Sequence, residues 1–254
     1  MNFDKSKKNK LRKEILELIS DLPNGEMVHL DKNILEDILF VNIKDKRNTY
    51  KIITPILTPE ILRKIDLSEI SFENVLFNYT CQSEEILKKI YGINYLDILY
   101  GNKFLIDLSR TNVKIDFSKI FGRSCYKCNF SHVDLSNSKL KFLQVVSESD
   151  FSYTNIKEVP NKAFLSGVNF KGNRFEGQKI PVSRFNINCD NGISGCNFNG
   201  TGLKIVSSQS KIANHEVREE LRRSINRGLL DNCFLNCKPI FQNQDVERES
   251  FKKK

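Results

Sequence analysis

Residues 128–140 read CNFSHVDLSNSKL. Phe130, Leu135 and Leu140 stand five residues apart, and two positions before the first two lie Cys128 and Val133, which are small or apolar. A period of five suits neither standard element. An amphipathic helix repeats near every 3.6 residues and a half-buried strand every second one. A pair of inward residues two apart, renewed every five, describes very short extended segments joined by tight corners. One such unit cannot bury a core alone, so it must stack on its neighbours as a solenoid.

The beat extends both ways from this stretch. Upstream it centres on Leu108 in IDLSR, Val113 in TNVKI and, after a one-residue slip, Phe117 in IDFSK. Downstream it centres on Phe151 in SDFSY, Ile156 in TNIKE, Phe170 in VNFKG, Phe175 in NRFEG, Ile180 in QKIPV, Phe185 in SRFNI, Phe198 in CNFNG and Leu203 in TGLKI. These centres are the expected repeat core. A shorter patch repeats the pattern on Leu67, Phe72 and Phe77. Gly167, Gly172 and Gly177 also recur every five residues, as do Gly195 and Gly200, where a sharp turn makes a Cβ costly. The beat fails at 83–100, 120–127, 143–147, 157–166 and 186–195, which are expected to hold loops or irregular corners.

The units IDLSR, VDLSN, SDFSY, VNFKG and CNFNG carry a resemblance. They resemble the pentapeptide-repeat family, whose unit is a small or apolar residue, then Asp or Asn, then Leu or Phe, then a polar residue, often Ser, then often Gly. The resemblance covers about 100 residues well and residues 65–77 less well. It implies a mainly β fold, a right-handed four-sided parallel β-helix, with the central residue and the one two before it inward. It also implies that Asp107, Asp116, Asp134 and Asp150 face outward near turns. Phe170, Phe175, Phe185 and Phe198 are expected to be buried, with Lys171, Glu176 and Asn199 exposed.

The flanks read differently. Residues 1–64 form an N-terminal helical region, 65–205 the solenoid with a helical insertion at about 83–100, and 206–254 a C-terminal helix and tail. Leu11, Ile15, Leu18 and Ile19 fit an amphipathic helix over 5–21. Asp31 is an N-cap candidate for a helix over about 31–40, and Thr58 followed by Pro59 starts another. Residues 41–57 show no clear period beyond an extended segment around 49–54. Ile212, Val217, Leu221, Ile225 and Leu229 form the stripe of a C-terminal helix, with Gly228 near its end. That stripe needs a cover, either the open end of the solenoid or a second copy of the chain in a homodimer. Capping is favoured, because Phe234 points to a return of the chain to the solenoid.

Composition narrows the class. With 39% hydrophobic and 28% charged residues in 254, the chain can bury a core. Its only N-terminal apolar stretch, 15–19, is broken by Glu17, so no secretion signal or membrane span is expected. Seven scattered cysteines then read as reduced thiols in a cytoplasm. Heavy use of Lys, Asn and Ile suits a low-GC bacterium.

Chemistry is sparse. Cys125 and Cys128 followed by His132 have zinc-ligand spacing, but Cys128 and Cys196 fall where a small inward residue belongs, and no second pair follows at the usual distance. His29, His132 and His215 lie in separate segments, and residues 192–195 lack the last glycine of a nucleophile elbow. Gly200-Thr201-Gly202 starts no nucleotide-binding fingerprint. The spacing of the aspartates leaves a glycosidase pair open but weak, because they recur as part of the repeat. No catalytic residue, metal or cofactor is therefore expected.

A non-enzymatic binding or scaffold protein, presenting a solenoid surface to a protein partner, follows. The alternative is nucleic-acid or other polyanion binding through basic helices, since the net charge is +9. Arg218, Arg222, Arg223 and Arg227 form one broad helical face, the candidate partner contact, although Glu216, Glu219 and Glu220 interleave with it. The lysines of residues 5–13 make a second basic cluster. Neither cluster carries interleaved aromatics, which counts against nucleic acid. Family members that bind type II topoisomerases imitate DNA and need an acidic surface. Residues 106–205 hold 14 Arg and Lys against 8 Asp and Glu, and that excess of +6 disfavours such a role.

Overall fold

The computed structural model describes residues 13–19, 21–23, 26–44, 48–54, 57–78, 88, 104–206, 214–230 and 233. The expected helical insertion at 83–100, apart from residue 88, the lysines of residues 5–12, Ile212 and Phe234 lie outside them.

Parallel strands stack into a β-solenoid. One ladder runs through β3 (Ile106–Asp107) and β5 (Cys128–Asn129) and continues as single bridges. It carries Asp107, Asn129, Asp150, Asn169 and Asn197, one from each of five coils. Successive members are 22, 21, 19 and 28 residues apart. A second ladder is a four-stranded sheet of β4 (Ser124–Tyr126), β6 (Val145–Ser147), β7 (Phe164–Ser166) and β9 (Ile193–Ser194), paired in that order. A third joins β8 (Lys179–Pro181) to β10 (Lys204–Val206).

The four-stranded sheet corrects the sequence reading. Its strands lie in 120–127, 143–147, 157–166 and 186–195, the segments where the beat fails. They are one continuous face of the solenoid, with Cys125, Val146, Leu165 and Ile193 fully buried behind it. The differences in chain length between coils fall before this face, because Cys125, Val146, Leu165 and Ile193 each stand four residues ahead of Asn129, Asp150, Asn169 and Asn197 in the ladder. A 3₁₀ turn at Val182–Phe185 and the loop after it lengthen the last coil.

Inside, the repeat centres form ladders of their own. Leu108, Phe117, Phe130, Leu135, Leu140, Phe151, Ile156, Phe170, Phe175, Ile180, Phe185, Phe198 and Leu203 are all buried. Phe130 and Phe151 have ring centroids 4.9 Å apart, Phe151 and Phe170 5.9 Å, and Phe170 and Phe198 5.4 Å. Stacking coils at a strand spacing of about 4.8 Å brings like positions into this contact. The corner just before the second turn is polar yet buried in four of the five coils, and Val133 takes its place in the coil of Phe130. Thr111, Thr154 and Thr201 donate to the carbonyls of Leu108, Phe151 and Phe198. Asn173, in the same column, donates to the Phe151 and Phe170 carbonyls and accepts from the Ile156 N–H, with the Thr154 hydroxyl 3.0 Å away sharing its proton between Asn173 and the Phe151 carbonyl. Both donors and the acceptor oxygen are thereby satisfied, which is why a polar side chain is tolerated at 1% exposure.

The N-terminal part is continuous with this stack. α1 (Lys32–Leu39) starts at Asp31, whose Oδ1 accepts from the Asn33 and Ile34 N–H groups. Residues 41–57, without a clear period, hold most of an antiparallel hairpin of β1 (Phe40–Lys44) and β2 (Thr49–Ile53). The backbone of Lys51 exchanges hydrogen bonds with Asn74 and Leu76, and Leu76 in turn pairs with Phe121, so the 65–77 patch lies between β2 and the coil of Asp107. Tyr50 stacks on Phe121 at 4.7 Å. α2 (Pro59–Arg63) begins at Thr58, which accepts from the Ile61 N–H, and Arg63 donates to the Ser109 carbonyl and hydroxyl. Residues 13–19 are helical, but Leu18, expected on the apolar stripe, is 71% exposed, while Ile19 is buried. Among the described residues, no helix is long and apolar enough to cross a membrane.

Candidate functional site

In seven units the second residue, an Asp or Asn, is a turn device. Oδ1 of Asp107, Asp116, Asp134 and Asp150 accepts from the N–H of Ser109, Ser118, Ser136 and Ser152 at 2.8–3.1 Å. Asn129, Asn169 and Asn197 do the same for Ser131, Lys171 and Asn199. A short acceptor two residues before a backbone donor closes an Asx turn. The carboxylates are thereby spread one per corner and held to the backbone, which opposes the glycosidase reading.

Hydrogen bonding also lowers the pKa values of Asp66, Asp116 and Asp134. The Ser68 amide, with help from Asn112 at 2.6 Å, holds the Asp66 carboxyl down to about 2. Ser118 and Ser136 lower Asp116 and Asp134 in the same way. A carboxyl whose folded pKa lies below its unfolded value near 3.9 stabilises the fold above that value, and the contribution is lost as pH falls toward 2. The melting temperature should therefore be flat from neutral pH to about 5 and fall steeply below about 4. Asp66→Asn should remove part of that fall in a calorimetric pH series. An unchanged acid limb would contradict the turn role.

The cysteine–histidine group does not assemble. Cys125 and Cys128 are fully buried in the core, and burial pushes the Cys125 thiol up. His132 sits at an outer corner with its ring stacked 5.0 Å from Tyr153. Cys196 is also buried, with its thiol pushed up to about 12 by desolvation. Buried thiols of that kind are poor nucleophiles. Among the described residues no three His, Cys, Asp or Glu side chains are grouped to hold a metal ion. His29 lies elsewhere again, with Nδ1 2.8 Å from Asp66.

The C-terminal helix, α3 (His215–Asn226), is placed by its stripe. Val217 and Leu221 are buried against the insertion at Val182–Phe185, with Ile225 and Leu229 half-buried at the edge. Gly228, at φ +65°, ends the helix, and the chain then runs along the last coil. There the Phe198 N–H donates to the Leu229 carbonyl at 2.9 Å and the Ile205 N–H to the Cys233 carbonyl at 2.6 Å. Asn199, expected to be exposed, is half-buried because its side chain donates to the Gly228 carbonyl. These bonds cap the end of the stack.

Two side chains here escaped the sequence reading. Glu220 was grouped with the surface charges, yet it is buried and accepts from the Gly195 N–H at 2.7 Å and the Ser224 hydroxyl at 3.1 Å. Its spacing of three from Val217 put it on the inner face and was the available signal. Arg184 precedes the repeat centre Phe185, where an outward polar residue belongs. Instead it is buried and donates to the carbonyls of Asn161, Ala163 and Asn191, tying the long loop to the previous coil. Burial lowers its pKa. No sequence signal marks it.

Of the candidate arginines, Arg222 lies 3.5 Å from Glu219 and Arg223 3.9 Å from Glu220. Arg218 is half-buried and Arg227 exposed. A different basic region emerges on the solenoid itself. Residues 136–141 of one coil and 156–158 of the next line a shallow groove of about 230 Å³ that contains Lys139, Lys141 and Lys157.

Five stacked coils with a helix across the last one define a capped β-solenoid. Compared with known proteins, the chain matches no protein-family model, no curated protein and no solved structure.

Proposed function

We propose that this chain is a non-catalytic binding protein of the pentapeptide-repeat kind that presents the outside of its solenoid to a macromolecular partner. The observation that carries the reading is the turn ladder. The side chains with the chemistry for acid–base work recur as corner devices bonded to the backbone, and the buried thiols belong to the core. Ladder partners 19–22 residues apart correspond to about four five-residue units per coil, which supports a four-sided helix, taken with the family as right-handed. A reducing cytoplasm suits the free buried cysteines.

A partner read by surface should survive purification with the folded chain. The expected result of capture on immobilised full-length protein is a macromolecule retained by the folded chain and absent from a heat-unfolded control, with protein and nucleic acid both analysed. A captured small molecule that the protein converts would overturn the reading. The excess of +6 over residues 106–205 favours an anionic partner over imitation of DNA.

A further inference from the structure

We infer that the end of the stack is a strand-accepting edge whose occupant is the chain's own C-terminal segment: residues 229–236 lie on the last coil as the start of a sixth, with Leu235 turned inward over Ile205. The inference stands apart from the binding reading above.

The bonds between coils set the register. The N–H of a repeat centre donates to the carbonyl of the ladder residue one coil on, as Phe130 does to Asp150, Phe151 to Asn169 and Phe170 to Asn197, each at 2.8 Å. Phe198 donates in the same way to Leu229, so Leu229 takes the ladder position of a further coil. The residues after it keep the spacing of the repeat. Leu230 follows Leu229 as Phe198 follows Asn197, and it is buried at 2% exposure. The Cys233 N–H donates to the Leu230 carbonyl at 3.1 Å, as Thr201 does to Phe198 at 3.3 Å. Cys233 is buried too and stands in the column of Thr111, Thr154, Asn173 and Thr201.

That column fixes what comes next. Leu135 donates to the carbonyl of Thr154, two residues before the centre Ile156, and Phe175 to that of Thr201, two residues before the centre Leu203. Ile205 donates to the carbonyl of Cys233, and two residues further on is Leu235. Ile205 already pairs with Ile180 in the parallel ladder of β8 and β10, and both are buried. Leu235 continues their inward column, and Phe234 faces outward in line with Lys179 and Lys204. Leu230 and Leu235 thereby resume the five-residue beat that α3 interrupts. The return of the chain expected on Phe234 falls on Leu235 instead.

α3 supplies the side that the sixth coil lacks. On the four-stranded face, the N–H after each strand donates to a serine carbonyl one coil on, Lys127 to Ser147, Glu148 to Ser166 and Gly167 to Ser194. At Gly195 the acceptor is a carboxyl oxygen of Glu220 at 2.7 Å. The helix therefore stands where a fifth strand of that sheet would lie, and it is an excursion within the stack. The occupant of the edge is the chain itself, because Leu229, Leu230 and Cys233 are already on it and a tethered segment outcompetes a second copy through its effective concentration. An open strand edge invites pairing with another chain, and this segment closes it.

The test uses the full chain and three variants, Leu235→Asp, Leu235→Ala and Phe234→Asp. Amide hydrogen exchange is followed by NMR at Ile205, whose N–H the segment holds, and at Phe151, inside the stack, as a control. Leu235→Asp should speed exchange at Ile205 by ~10–100-fold, the effect of an unpaired polar group at a buried site on local opening, with Phe151 as in the parent. Leu235→Ala should act in the same direction to a smaller extent. Phe234→Asp should leave Ile205 as it is, and parent rates should not depend on protein concentration.

Unchanged exchange at Ile205 in Leu235→Asp would overturn the inference. A larger effect from Phe234→Asp would reverse the register and overturn it as well. Protection at Ile205 that fades on dilution would put a second copy on the edge, which also overturns it. Where Leu235→Asp opens the whole stack and exposes Phe151, Leu235→Ala against Phe234→Asp decides on the same terms. The proposed function is untouched by any of these results, because it fails only on turnover.

Discussion

Phe170→Ala is expected to lower the unfolding free energy by about 3–5 kcal/mol, as for other fully buried aromatic truncations. The ring is 0% exposed and contacts neighbours on three sides, with Phe151 at 5.9 Å, Phe175 at 5.8 Å and Phe198 at 5.4 Å. It belongs to both interfaces of its coil, so its loss weakens coupling to the coil before and the coil after. In a one-dimensional stack those nearest-neighbour terms hold the array together as one unit. The transition should therefore broaden as it shifts, because the two ends begin to unfold separately. Urea titration followed by far-UV circular dichroism and by intrinsic tyrosine fluorescence measures both effects. A shift under about 1 kcal/mol would contradict the packing described, given that range for buried rings.

Leu221→Asp should be comparably severe, on the order of 3–5 kcal/mol, because it places an unpaired charge at a fully buried position. The neighbouring residue makes matters worse, since Glu220 already carries the carboxylate that holds the Gly195 amide. Dislodging α3 also releases the Leu229 and Cys233 carbonyls from the last coil and exposes the Phe198 and Ile205 donors. The expected outcome is a lower melting temperature with the mass of one chain in light scattering, for the variant and the parent alike. A parent mass of two chains falling to one, with the melting temperature retained, would instead make the helix a dimer contact.

The five-residue beat made the solenoid and its inward centres legible because each centre meets the same steric demand, a large apolar side chain facing its equivalent one coil away. Phe130, Phe151, Phe170 and Phe198 show this directly. The strands at Ser124–Tyr126 and Phe164–Ser166 were read as irregular because pairing between coils fixes them, not local period. A three-residue strand with one inward side chain leaves almost no periodic trace. Arg184 was illegible for a related reason. Its burial depends on three carbonyls, two of them from a coil some twenty residues earlier. The lysine groove needed the stack as well, since Lys139 and Lys157 lie eighteen residues apart in the chain and meet only when two coils are laid together.

The four-stranded sheet separates two demands on the chain. Along the Asp107–Asn197 ladder every coil must arrive in step, whatever happens between. The slack is gathered on the stretch between the ladder and the next strand of that sheet, so that the last coil takes 28 residues and earlier ones 19–22. Arg184 clamps the root of that longer excursion to the coil before it, so length beyond the clamp is not transmitted to the ladder. Insertion and deletion can therefore proceed at 186–191 as a local event, and the same site is where a foreign peptide could be spliced in with the repeats still in frame.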